Sequence, residues 1–465
     1  MVFSSIPFLF YFLPCVLLLY FAAPWKLKNT VLLCSSLFFY AWGEPKFVIV
    51  MLLTVLQGYL FGILIEKSEG RRARVYLAVS AAFSLGLLGH CKYADFFIEN
   101  FNAVTGLSVS LLKVTLPIGI SFYTFQILSY LADVYRRKVP AQRSFVNLAA
   151  YIAMFPQLIA GPIVRYADIS AGLESRRHSL EKCALGIRRF VLGLGKKVLI
   201  ANAMGELCST FRESDDKSVL FFWLYAAACT LQIYFDFSGY SDMAIGLGRI
   251  FGFEFPENFN YPYIAGSITE FWRRWHISLG SWFRDYVYIP LGGNRVSKPK
   301  WLRNLLIVWF LTGFWHGAEW NFILWGLFFG VLLIFEKLVL SRVLEEFKLL
   351  RHIYVLLAVI LGFVLFDASG LSEAFDTISA MFGAGGFPIV SQEALYYLRS
   401  YGVLLTAAAI GSTPLFSAGV KRLRNREGVD KALNAVEPAA LVLLLFVITG
   451  YLVDGSFNPF LYFRF

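Results

Sequence analysis

The sequence predicts an all-α polytopic membrane protein, and three observations predict it. Apolar runs of membrane-crossing length recur from one end of the chain to the other. Charged residues are scarce, 16% of 465, against 58% hydrophobic and 18% aromatic. The basic residues gather in short loops between the apolar runs. A soluble domain carries nearer a quarter charged residues, whereas a hydrocarbon core of roughly 30 Å asks for about 20 apolar residues per helix. Mean hydropathy is accordingly +0.63. The formal net charge of +11 is therefore read as the positive-inside pattern of loops rather than as a nucleic-acid face. The six cysteines are scattered with no C-x-x-C pair, so neither a metal site nor a disulfide framework is indicated.

Taken in order, the first apolar run, Phe8 to Ala23, lacks a basic leader and a small-residue cleavage site, and reads as a retained helix. With the N-terminus outside, Lys26 and Lys28 fall inside and Gly43–Lys46 makes an outer turn. Lys67, Arg71, Arg72 and Arg74 fall inside, and His90–Lys113 is expected as an outer loop. Arg136, Arg137, Lys138 and Arg143 fall inside again. Phe145 to Val164 is apolar but broken by Pro156, Gly161 and Pro162, with basic residues on both flanks, which favours a re-entrant piece enclosed by protein. The run from Phe190 goes out to the acidic patch Glu213–Asp216, with Lys196 and Lys197 expected to snorkel to the inner interface.

From Val219 the chain returns through Tyr-Phe-Asp-Phe-Ser-Gly-Tyr-Ser-Asp (Tyr234–Asp242), which places Asp236 about 26 Å along that helix, near the inner interface. Gly252 to Arg303 is a long inner stretch rich in Trp, Tyr and Arg. Asn304 to Trp315 spans only about 18 Å as a helix, and Asn321 to Phe335 runs back to Lys337 and Arg342. Basic residues at both ends predict a hairpin with His316 at its tip, near mid-membrane; a paired span with a sharp break is the alternative, and it breaks the charge rule on one side. Ile353–Phe366 then goes out, Ala394–Leu415 comes in, and Ala439–Val453 goes out, leaving residues 454–465 as an outer tail. The whole, 1–465, reads as a single integral-membrane domain with roughly eleven crossings and about two or three re-entrant pieces.

Two histidines carry the chemistry. His316, in Phe-Trp-His-Gly, interrupts grease, where an imidazole is costly and marks a functional site by default. Kept neutral by burial, it suits a general base acting on a hydroxyl that attacks an acyl thioester; the alternative is a core histidine hydrogen-bonded across helices. Trp315 flanks it. Glu319 either orients it or makes a structural pair. His276 follows Arg273, Arg274 and Trp275, a context that fits either phosphates of an acyl carrier or an interfacial helix anchored to membrane lipids. Asp236, with Ser238 and Tyr240 beside it, either orients His276, pairs with an arginine of the inner stretch, or is a solvated helix-end carboxylate. His90, His178 and His352 are expected in or beside loops, and solvated. The tail Phe457–Phe465 packs four phenylalanines around Tyr462, either as a segment that docks in an apolar pocket or as an interfacial aromatic belt.

Ile233–Gly248, Ile268–Asp285, Leu291–Arg295 and Gly313–Trp320 together closely resemble the membrane-bound O-acyltransferase family, in the bacterial branch that acetylates alginate or D-alanylates teichoic acid. The opening Met-Val-Phe-Ser-Ser and Leu116–Phe122 resemble the alginate type. The resemblance implies a ring of membrane helices around a thinned centre crossed by a tunnel. It implies His316 as the catalytic histidine, His276 as a second histidine at the inner mouth, and the tyrosine of the aromatic tail, Tyr462, as an acyl relay. It implies acetyl-CoA or another acyl thioester as donor, with no bound cofactor and no metal. A polysaccharide acceptor, a separate extracytoplasmic SGNH-type acetyltransferase as partner and a place in the bacterial inner membrane follow from the same resemblance, while both termini outside is the expectation from loop charge.

Overall fold

The structure, a computed structural model, describes residues 1–455 apart from Ala160 and Glu427, and of Ser341 and Arg342 the backbone alone. Among these residues every regular element is helical. In chain order they are α1 (Leu13–Ala22), α2 (Lys28–Gly43), α3 (Val48–Glu66), α4 (Gly70–Leu88), α5 (Ala94–Thr105), α6 (Ile120–Tyr135), α7 (Phe145–Ala153), α8 (Phe155–Leu158), α9 (Tyr166–Glu174), α10 (Leu180–Gly195) and α11 (Asn202–Glu213). Then follow α12 (Val219–Ile250), α13 (Ile268–Arg274), α14 (Ile277–Phe283), α15 (Lys298–His316), α16 (Trp320–Phe335), α17 (Ser341–Glu346), α18 (Lys348–Asp367), α19 (Leu371–Met381), α20 (Gln392–Gly411), α21 (Leu415–Arg424) and α22 (Val429–Asp454).

Six of the described helical stretches are long and apolar enough to cross a bilayer, and seven if α20 and α21, bent by 65° at their junction, count as one span. The other apolar runs form shorter helices, because proline, glycine and wide turns divide them. This is a multi-pass membrane protein.

One expected loop is helix instead. α4 passes through a wide turn at Gly89–Tyr93 into α5, making one 36-residue rod where an outer loop was expected from His90. Its exit loop folds back onto it. The Asp95 carboxylate accepts from the backbone N–H groups of Leu112 and Lys113 at 2.7 and 2.9 Å.

The chain divides into two compact units, Met1–Phe190 with Ser241–Pro256, and Val191–Tyr240 with Glu257 onwards. The first is built around an aromatic knot of Phe3, Phe8, Phe12, Phe39 and Phe155. Phe155 belongs to the broken segment, where α7 stops at Met154 and α8 restarts with Pro156 in its first turn. Both pieces are buried, and the Ser36 hydroxyl accepts from the Phe155 N–H at 3.0 Å. Interrupted backbone needs such enclosure.

The second unit holds the hairpin. α15 and α16 cross so closely that a Cβ on Gly313 would meet the carbonyl oxygen of Phe322, and one on Gly326 that of Trp309. Small residues at a crossing allow backbones to approach in the absence of a hydrophobic driving force. α16 is tied to its neighbours by two buried polar side chains. Asn321 donates to the Ala368 carbonyl at the end of α18 (2.8 Å), and Glu336 accepts from the N–H groups of Ile268 and Thr269 at the start of α13 (2.6 and 3.2 Å).

Candidate active site

The site is assembled in the second unit from α12, α13, α14, and the α15–α16 hairpin. His316 is the last residue of α15, and Gly317–Glu319 link it to α16. The imidazole is 6% exposed. It lies edge-on to three rings, Trp315, Trp325 and Phe366, at centroid distances of 5.0, 5.0 and 5.2 Å. α15 and α16 are joined at a turn next to His316, but α15 begins at Lys298 rather than Asn304 and runs 19 residues, and Trp320–Leu340 is long and apolar enough to cross a bilayer. Glu319 sits exposed at the N-terminal cap of α16.

His276 reaches the same layer from α14. It occupies the left-handed region (φ 43°, ψ 53°) as the residue preceding that helix, a conformation costly for a non-glycine residue and concentrated at functional sites. Its ring is 2% exposed, packs edge-on against Phe237 at 4.6 Å, and stands 6.3 Å from Trp315. Trp315 thus touches both histidines.

Asn258 sets the protonation of His276. Its Oδ1 lies 3.1 Å from His276 Nδ1, and it also accepts from the Ser278 hydroxyl at 2.8 Å and the Ser278 backbone N–H at 3.3 Å. A backbone N–H can only donate, so the atom facing it is the amide oxygen, and His276 must offer Nδ1–H. Nε2 is left as a bare lone pair. It is buried and has no hydrogen-bond partner among the described residues. Burial also pushes the imidazole down to about 3, well below its ordinary range, because charge is penalised away from water. His276 is a neutral acceptor of fixed tautomer.

The indole N–H groups of Trp272 and Trp325 are also buried with no hydrogen-bond partner among the described residues, as is the Ser238 hydroxyl elsewhere on α12. Trp272 and Trp325 are in edge contact at 5.6 Å, and Trp325 is in contact with His316. Unsatisfied donors and an unsatisfied acceptor gathered around two histidines are costly to bury. A carbonyl oxygen would satisfy the donors, and a hydroxyl the acceptor.

The remaining predicted residues divide. Asp236, 1% exposed, forms an ion pair with Lys197, a partner the sequence reading did not single out. It is no solvated helix-end carboxylate, and Lys197 does not snorkel: at 4% exposure it is held inside by that charge. Ser238 and Tyr240 are buried on the same helix. Trp275 belongs to the core rather than to a donor surface, stacked on Phe271 at 5.6 Å and in edge contact with Phe259 at 5.0 Å. Arg274 is committed to Glu270 (2.8 Å) and to the Asn260 carbonyl (3.0 Å). Arg273 is exposed and carries no bond or ion pair to the described residues, so its guanidinium is available to an anion. Tyr462 lies outside the described residues.

Sequence reading missed Asn258 and Lys197. An asparagine between Glu257 and Phe259 looks like an ordinary turn residue, and a lysine near a helix end looks interfacial. Neither signal distinguishes the role each takes.

Comparison with known proteins gives a consistent picture. The profile of the membrane-bound O-acyltransferase family matches residues 34–371. A probable alginate O-acetylase AlgI of Azotobacter vinelandii is 40% identical over 499 aligned positions, covering all of both chains. A peptidoglycan O-acetyltransferase of Helicobacter pylori is 32% identical, covering all of this chain and 98% of that one. A teichoic acid D-alanyltransferase of Bacillus subtilis is 32% identical over 47% of this chain and 60% of its own.

Proposed function

This chain belongs to the membrane-bound O-acyltransferase family, and we propose that it moves an acetyl group from a thioester donor on the inner face of a bacterial inner membrane toward a polysaccharide outside. The observation that carries the reading is the cluster of unsatisfied buried donors and acceptor around His276 and His316. His316 takes the proton of the attacking hydroxyl, the oxygen bonds to the thioester carbonyl carbon, and the carbon–sulfur bond breaks with the thiolate leaving. In this reading the buried, unpartnered indole N–H groups of Trp325 and Trp272 receive the oxyanion of that carbonyl. His276, its tautomer set by Asn258, offers Nε2 as a second acceptor in the same layer. Arg273, free on the surface, suits a phosphate of a donor such as acetyl-CoA.

Tyr462 is the proposed acyl relay, a phenol that needs a base because its ordinary pKa is near 10. That part rests on the sequence of the tail alone. An SGNH-type transferase outside the membrane would complete delivery to the polymer. The full-length relatives named for alginate and for peptidoglycan support a polysaccharide acceptor and acetyl as the group carried.

The test is transfer from radiolabelled acetyl-CoA by the purified chain in membranes. Wild type should become labelled, and His316→Ala should lose transfer by roughly 100-fold or more while keeping its elution profile. Tyr462→Phe should lose the protein-bound label. Label on His316→Ala equal to wild type would remove the histidine from the mechanism. Retention of polymer acetylation by Tyr462→Phe would remove the relay and leave the enzyme.

A further inference from the structure

The first unit contains a buried cationic site that the reaction does not use. Arg176, in the loop after α9, is 8% exposed. Its Nε donates to the Tyr20 hydroxyl at 2.8 Å, and its Nη1 donates to Asn29 Oδ1 at 2.7 Å and the Gly172 carbonyl at 3.0 Å. Its Nη2 is buried and has no hydrogen-bond partner among the described residues. The guanidinium lies over Phe253 at 4.4 Å and Trp25 at 5.2 Å. Tyr20 is the hub: its hydroxyl donates to the Phe251 carbonyl at 2.9 Å and faces His178 Nε2 at 3.3 Å.

Two further basic groups share the site. Lys28, 8% exposed, donates to the Tyr20 carbonyl at 2.7 Å. His178 is half-buried, leaves Nδ1 unpartnered among the described residues, and packs against Gly252, a residue at φ +84° where a Cβ would stand 3.0 Å from the ring. No carboxylate is paired with Arg176, Lys28 or His178 among the described residues. Burial, and after it the charges of Lys28 and Arg176, push His178 below its ordinary range, and Arg176 adds to the burial that lowers Lys28. A buried guanidinium with aromatic faces around it and one fork arm unused is a binding geometry for an oxyanion.

What reaches the site is argued from its flank. α1 ends here, and its outer face is bare: Leu18 is 72% exposed, Leu19 61%, Phe21 44% and Trp25 41%. Large apolar side chains this exposed on a membrane protein face lipid, and Phe and Trp at the end of such a face mark the headgroup level. We propose that Arg176 and Lys28, with the neutral His178 at their edge, form a phosphate site occupied by the headgroup of an anionic phospholipid. The acyl chains lie along the exposed face of α1, and the phosphate oxygens take the free arm of Arg176.

The experiment uses the purified full chain in detergent, with lipid binding followed by native mass spectrometry and by the shift of the unfolding temperature. The probes are phosphatidylglycerol, phosphatidylcholine and inorganic phosphate. Phosphatidylglycerol should bind and raise the unfolding temperature more than phosphatidylcholine does. Arg176→Gln should weaken it roughly tenfold and Arg176→Lys less, since lysine keeps the charge but not the fork. Arg177→Gln, on the exposed neighbour, should change nothing. If Arg176→Gln does not fold, Lys28→Met reads the same site from the other side of Tyr20. Equal loss in Arg176→Gln and Arg177→Gln would mean diffuse attraction and overturn the site, as would unchanged binding in Arg176→Gln. Arg176-dependent binding of inorganic phosphate that phosphatidylglycerol does not displace would overturn the lipid as occupant.

Discussion

At the scale of single residues, the site turns on an asparagine. Three donors converge on Asn258 Oδ1, and that convergence gives His276 one tautomer and one orientation. A hydrogen-bond partner of this kind fixes how a ring presents its free nitrogen. The buried imidazole also has a thermodynamic signature. The fold holds it neutral down to about 3, whereas its ordinary value is 6.5. The unfolded chain therefore binds more protons between those limits, and stability falls as pH is lowered through that window. Unfolding temperatures measured at about pH 7.5 and about pH 5 should differ more for wild type than for His276→Gln. An identical difference in both would mean that water reaches His276. His316 was legible from its setting alone, since a histidine between glycines in an apolar run has few structural uses. Asn258 was not, because its role exists only once a segment eighteen residues away folds beside it.

At the scale of elements, two contacts decide how the helices meet. The α15–α16 crossing depends on glycines at Gly313 and Gly326, and the helix pair is longer than the short hairpin expected from loop charge, because α15 begins at Lys298. The Lys197–Asp236 ion pair has no loop-charge signature. α10 leads into a wide turn at Lys196–Ala201, which turns Lys197 inward, and Gly239 on α12 passes the Gly193 carbonyl where a Cβ would stand 2.8 Å away. Removing one partner leaves a buried charge without compensation. Asp236→Ala should cost on the order of 3–5 kcal/mol, while Asp236→Leu with Lys197→Met should be close to neutral. Thermal unfolding of the three proteins in detergent checks this, and a single variant as stable as the double would show that the pair carries no such energy. The outer loop expected at His90 became helix for a related reason. Its aromatic and polar mixture reads as loop, but a carboxylate at Asp95 gathers the exit segment onto the rod.

For the whole molecule, charge distribution makes a topological prediction. If the basic clusters lie inside and both termini outside, the loop at Glu69 is cytoplasmic and the loop at Asp215 is not. Both side chains are exposed. In a background without native cysteines, Asp215→Cys should react with an impermeant maleimide in intact cells, and Glu69→Cys only after permeabilisation. The reverse pattern would invert the protein and the direction of transfer with it.

Hydropathy and loop charge, summed over many residues, determined from sequence alone that this is a helical multi-pass membrane protein, and short polar motifs in grease determined which histidine to examine. Those signals survive any detail of packing, because the cost of burying charge in hydrocarbon is paid residue by residue. Only the tertiary structure decided the partners: Lys197 for Asp236, Asn258 for His276, and an aromatic stack that removes Trp275 from the surface and leaves Arg273 on it. Hydrogen bonds and ion pairs reach a few ångströms in space without regard to distance along the chain, and so these partners are set by how the helices pack rather than by any local pattern.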